Sequence, residues 1–258
     1  MFGVVPWVFW SKTNPPDERN RVELAARCLL IQGNGRTILV DDGNGMKWNE
    51  KQRDIYKFNN SKADLLSSLK KISMTRHDVT DIILTHLHFD HAGGSTMFVD
   101  GTLEVTFPNA RFYVQRKHWE HSQHPTERDH ASFVQENFQL LEEKKVLEMV
   151  DGEVQLFPGI EVVTTQGHTE SLQLPKISDG KTTLLYCTDL IPFTAHLPYP
   201  YITGYDVRPL ETLAEKKRIL QHAYDEQWIL FFEHDPQVQA LTLKKTEKRF
   251  DADRILTI

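Results

Sequence analysis

The chain has 258 residues, 40% of them hydrophobic, and a formal net charge of −6 at pH 7. That length fits a single globular domain, expected over residues 1–258, that can enclose a large core. Mild acidity without a Lys/Arg-rich block excludes a nucleic-acid groove or an anionic membrane surface as the main partner and favours a small-molecule substrate.

The opening MFGVVPWVFW is apolar, but no basic residues precede it and no small-residue cleavage site follows, so it does not read as a signal peptide. No apolar run reaches the roughly 18 residues of a membrane span, and the expectation is a cytoplasmic protein. Residues 1–20, with Trp7, Trp10 and Pro15-Pro16, read as irregular, and their apolar character makes a homodimer contact an expectation. Val22 to Gln32 and Thr37 to Asp41 read as strands joined by a hairpin at Gly33-Asn34-Gly35. Apolar residues at helical spacing predict a helix over Lys62 to Ile72, and Asp81 to Thr85 reads as a strand covered on both faces.

Arg111 to Gln115 reads as a strand, Arg116 to His121 as a short helix and Ser132 to Glu143 as a longer one. Strands follow at Val154 to Phe157, Ile160 to Thr165, Ser171 to Ile177 and Thr182 to Cys187, then a helix at Pro209 to Ala223 and a strand at Trp228 to Phe232. Two strand-rich halves with interspersed helices suggest two sheets packed face to face with helices outside. Cys28 and Cys187 fall in strand-like runs and read as reduced core residues.

One stretch stands apart. His86, His88, Asp90 and His91 fall within six residues immediately after the apolar run ending at Thr85. Composition alone would yield H-x-H-x-D-H with a probability of about two in a thousand. Imidazole nitrogens with a carboxylate suit zinc, and also manganese, iron or cobalt. Alternate residues leaving a strand point the same way, so His86 and His88 can reach one ion while Asp90 and His91 reach a second. Three further candidates sit where strands give out, namely His168, Asp189 and His234. Taken singly each is weak: Asp189 would serve as a turn or capping residue. His77, His118, His121, His124, His130, His196 and His222 read as exposed or hydrogen-bonded histidines.

HLHFDH, GHT at 167–169, TDL at 188–190 and EHD at 233–235 resemble, in identity and order, the motifs of the metallo-β-lactamase superfamily. The resemblance covers nearly the whole chain. It implies an α+β fold, an αββα sandwich of two mixed sheets with the site at one edge, and two divalent ions. His86, His88 and His168 would hold the first ion, Asp90, His91 and His234 the second, with Asp189 bridging both. A bridging carboxylate is similar to the lactonase, glyoxalase II and methyl-parathion-hydrolase groups and argues against antibiotic hydrolysis. The N-terminal segment and DLIPFTAHLPYPYITGYD resemble most the quorum-quenching lactonase and methyl-parathion-hydrolase branch. Members of that branch carry further strand sequence ahead of this segment, which predicts a short start here.

The chemistry implied is hydrolysis of a lactone or ester, N-acyl homoserine lactone foremost, by a hydroxide bridging the two ions at neutral pH. Asp90 is then the proton carrier to the leaving alkoxide. Phe89, Phe193, His196, Tyr199 and Tyr201 are candidates for lining the substrate cleft, with Trp7 and its neighbours as an apolar wall; Tyr201 and Tyr205 are both candidates to support the tetrahedral intermediate. The alternatives are an organophosphate triester or aryl esterase on the same site and, from another class, a catalytically silent metal-binding scaffold. The seven intact ligands argue against the scaffold.

Overall fold

Leu29–Gly33 (β1) and Arg36–Val40 (β2) pair antiparallel through the turn at Asn34 and Gly35, whose φ angles of +50° and +73° match a tight hairpin. The computed structural model describes residues 1–59 and 64–258. The described chain divides into a central unit, Cys28–Asp151, and a flanking unit made of Met1–Arg27 with Gly152–Ile258.

In the central unit, β2 continues in parallel to β3 (Asp81–Ile83), and after the small hairpin β4 (Thr96–Val99) and β5 (Thr102–Val105) come β6 (Arg111–Gln115) and β7 (Leu147–Val150). The order β1-β2-β3-β6-β7 is a mixed sheet. Ile82, Leu84, Phe112, Val114 and Phe138 lie in its core. β3 is buried on both faces, as its unbroken apolar run requires.

In the flanking unit, β8 (Val154–Phe157), β9 (Ile160–Thr165), β10 (Leu172–Ser178), β11 (Thr183–Tyr186), β12 (Ile229–Phe231), β13 (Ala240–Lys245) and β14 (Phe250–Leu256) form one seven-stranded sheet. All its pairings are antiparallel except β11 with β12. The 17-residue helix Pro209–Asp225 starts with proline at its first position, where the missing N–H costs nothing, and buries Ile219, Leu220 and Ala223.

Several expectations need correction. The first strand begins only at Leu29, because the backbone N–H groups of Ala25 and Arg27 donate instead to the carbonyls of His234 and Glu233. The helix expected from Lys62 runs over Leu65–Lys71, capped by Asp64, while Lys62 and Ala63 lie outside the described residues. The helix expected at Ser132 to Glu143 breaks into the single turns His130–Ser132 and Gln135–Asn137 and the short helix Gln139–Glu143. Phe133 and Phe138 take extended or bridging backbone that lets both rings reach the core, so packing overrides helical spacing. The irregular N-terminus contains one helical turn, Trp7–Trp10. Among the described residues no helix is long and apolar enough to cross a membrane.

Candidate functional site

Four of the expected ligands share one local rule. His86, His168, Asp189 and His234 each lie three residues beyond the last residue of a strand, after Ile83, Thr165, Tyr186 and Phe231. That offset lets a side chain leave the sheet while the strand still fixes its backbone.

In the central unit the turn after β3 packs His86, His88 and His91 together. The His86 ring centroid is 4.4 Å from that of His88 and 3.9 Å from that of His91. All three are buried, whereas the Asp90 side chain keeps 28% of its surface exposed. Asp41, at the end of β2 with φ +55°, organises them. It accepts the Thr85 N–H and the Thr85 hydroxyl, both at 2.7 Å, and the His91 Nδ1–H at 3.0 Å. Because the Thr85 hydroxyl proton goes to Asp41, Thr85 Oγ1 must accept from His86 Nδ1, 3.0 Å away. A neutral His86 therefore carries no proton on Nε2. Gly93 is required by close approach: a Cβ there would come within 2.3 Å of the Phe89 carbonyl oxygen and 2.5 Å of Asn44.

In the flanking unit Asp189 sits on the turn Thr188–Leu190, entered through Thr188 at φ +41°, a conformation costly for a β-branched residue. Its Oδ1 lies 3.0 Å from His234 Nε2 and its Oδ2 3.0 Å from His168 Nε2. The opposite nitrogens are already engaged. His234 Nδ1 donates to the Ala25 carbonyl at 2.8 Å, and His168 Nδ1 meets Asp206 Oδ1 at 2.9 Å. A carbonyl only accepts, so the neutral His234 has an unprotonated Nε2 aimed at a carboxylate oxygen. Two acceptors this close need a proton or a cation between them. Burial opposes charge on His168, but the Asp189 and Asp206 carboxylates outweigh it and push its pKa up to about 10. A divalent ion satisfies the same electrostatic demand, so the donor set fits a metal.

The remaining expected site residues fall in separate surroundings. In the central unit Phe89 packs on Trp48 and Tyr56, with centroids at 5.2 and 5.0 Å. In the flanking unit Phe193 and His196 are buried beneath Phe2, whose ring stacks on that of His196 at 4.8 Å. Burial and nearby Lys216 bring the His196 pKa down to about 3, so this histidine is a neutral packing group. Tyr199 faces Phe250 and Lys217, and Tyr201 lends its carbonyl to Lys216. Trp7 touches Trp10 edge-on and is 56% exposed. Burial pushes the Cys187 thiol up, leaving an inert core cysteine. His118, expected to be exposed or hydrogen-bonded, is the second: it is buried and accepts the Leu87 N–H.

Sequence reasoning missed Asp41, Thr85, Asp206 and the Ala25 carbonyl. Only Asp41 left a signal, as a carboxylate at the end of an apolar strand.

The metallo-beta-lactamase superfamily model matches residues 21–234. The chain belongs to that superfamily and has its mixed-sheet α+β fold. An N-acyl homoserine lactonase of a Bacillus species is 28% identical over 174 residues, 66% of this chain and 62% of the relative, so the match spans about three-fifths of that enzyme. A probable metal-dependent hydrolase from Staphylococcus aureus superposes with a TM-score of 0.88 at 26% identity, covering 100% of this chain and 92% of the other. AidC, a dizinc quorum-quenching lactonase in complex with the product N-hexanoyl-L-homoserine, gives a TM-score of 0.74 at 25% identity over 91% of this chain and 81% of its own.

Proposed function

We propose that the protein opens the ring of an N-acyl homoserine lactone or a related ester, using two divalent ions, zinc foremost. His86, His88 and His168 take one ion, Asp90, His91 and His234 the other, and Asp189 serves both. The observation that carries this assignment is Asp189 itself, a carboxylate with each oxygen 3.0 Å from an imidazole nitrogen. A carboxylate so divided between two imidazoles is suited to joining two ions. The lactonase relative and the lactonase–product structure support the substrate class.

Bound divalent ions supply a water of near-neutral pKa and an electrophile for the substrate carbonyl. The protein's own groups set the stage. Thr85, Asp41, Asp206 and the Ala25 carbonyl hold the Nδ1–H groups of His86, His91, His168 and His234, which leaves each Nε2 as the nitrogen that would hold an ion. Asp90, partly exposed, is the group that receives a proton and returns it to the departing alkoxide. Phe89, with Trp48 and Tyr56, offers an apolar surface to the acyl chain.

The test is proton release, followed by pH-stat, from short- and long-chain acyl homoserine lactones with metal-loaded wild type and with His168→Ala. Turnover by the wild type with loss of at least about 100-fold in the variant is expected. Metal-loaded protein that ignores every lactone but cleaves an aryl ester or a phosphotriester would overturn the substrate assignment in favour of the organophosphate or aryl-ester alternative.

A further inference from the structure

Asp206 lies in the segment leading into the helix Pro209–Asp225 and is 1% exposed. Its Oδ1 accepts the Thr203 hydroxyl at 2.6 Å and faces His168 Nδ1 at 2.9 Å. The backbone closes the same contact: Val207 N–H donates to the His168 carbonyl at 3.1 Å and Arg208 N–H to the Gly167 carbonyl at 2.8 Å. Gly167 permits this approach, because a Cβ there would stand 2.2 Å from Thr212 Oγ1.

The segment is braced from behind. Lys216, fully buried on the helix, donates to the carbonyls of His196, Pro198 and Tyr201 at 2.9, 3.1 and 2.6 Å. Protonated, the group has one hydrogen for each acceptor, and neutral it keeps two. The stretch that delivers Thr203 and Asp206 is therefore tied to a rigid element through its backbone carbonyls.

A buried carboxylate is costly to keep unless it answers a specific demand. A neutral acceptor would be enough to hold a loop. What a carboxylate adds at an imidazole Nδ1–H is a fixed tautomer and a more basic Nε2. We propose that Asp206 is the positioning residue of His168, holding its proton on Nδ1 and its ring plane fixed so that Nε2 is presented as a metal ligand. This inference rests on the proposed function, since it assumes that His168 ligates an ion.

The experiment is metal binding by wild type, Asp206→Ala and Asp206→Asn, measured by competition with a chromophoric chelator for zinc. Long-range proton–nitrogen spectra of the loaded proteins report the His168 tautomer. We expect two ions in the wild type, a 10- to 100-fold loss of affinity for one of them in Asp206→Ala, and a smaller loss in Asp206→Asn, whose side-chain oxygen can still accept. The second ion should keep its wild-type affinity, and the His168 signal should change from Nδ1-protonated to a mixture. A merely structural role would lower the thermal midpoint without dividing the two ions in this way. Should Asp206→Ala fail to fold, Thr203→Val tests the same point by freeing the carboxylate, with a several-fold loss expected. Wild-type affinity and an unchanged tautomer in the folded variants would overturn the positioning role alone. A wild type that binds no metal would overturn the proposed function together with this inference.

Discussion

His234 and Ala25 hold each other twice: the imidazole Nδ1 donates to the Ala25 carbonyl at 2.8 Å, and the Ala25 N–H donates to the His234 carbonyl at 3.0 Å. A residue of no chemical distinction thereby sets the tautomer of a candidate ligand. Ala25→Pro deletes the backbone donor and should cost about 1 kcal/mol of stability, with roughly tenfold weaker binding of one ion. Denaturant unfolding and chelator competition on the same variant check both numbers.

Asp189 divides its two oxygens between His168 and His234. In Asp189→Asn one side must turn an NH2 group toward an imidazole and can no longer offer an anionic oxygen there. We expect metal content to fall from two ions to one or none and turnover to drop by about 100-fold or more. Elemental analysis of the purified variant, alongside removal and restoration of zinc in the wild type, reads the outcome; full metal content in the variant would contradict the role.

Lys216 ties stability to pH. Burial lowers its pKa from 10.5 to about 7. Between those values the unfolded chain binds a proton that the folded chain does not, so this group's contribution rises as pH increases through the window and is lost as pH falls toward 7. Relative to Lys216→Met, which cannot titrate, wild-type unfolding free energy should climb between pH 7 and 10 with a slope approaching about 1.4 kcal/mol per pH unit. Parallel slopes for the two proteins in denaturant titrations would count against it.

Phe2 is 4% exposed and stacks on Trp10 at 4.9 Å and on His196 at 4.8 Å. Phe2→Ala should destabilise the protein by about 3 kcal/mol, the lower end of the range for a buried phenylalanine because the segment is terminal. Metal affinity should be unchanged, since Phe2 makes no contact with a candidate ligand among those described. A thermal scan with a chelator titration separates the two effects.

Much of this was legible in the sequence, for definable reasons. HLHFDH follows a short run of apolar residues, so both the strand β3 and the turn beyond it could be read from a few residues. The placement of His168, Asp189 and His234 beyond strand ends was legible because each follows a β-rich run with a clear end. The residues that hold the candidate ligands were not, because Thr85, Asp206 and Ala25 each meet an imidazole Nδ1 through a lone acceptor, and an acceptor carries no spacing signature. The segment 132–143 misled because Phe133 and Phe138 recur at a spacing a helix would use, while the core takes their rings through non-helical backbone. β13 and β14 were missed since Lys244 and Lys245 end β13 and Asp251, Asp253 and Arg254 interrupt the apolar residues of β14.

β11 and β12 run parallel and pair Tyr186 with Phe231, and Asp189 and His234 each follow three residues later. Their 3.0 Å meeting is thus a property of the sheet's register, while some forty residues of intervening chain bulge away from it. Side chains between them, apart from those such as Asp206 that hold a candidate ligand, can be exchanged while the two donors stay in place. The register keeps the meeting point, and the chain between can vary around it.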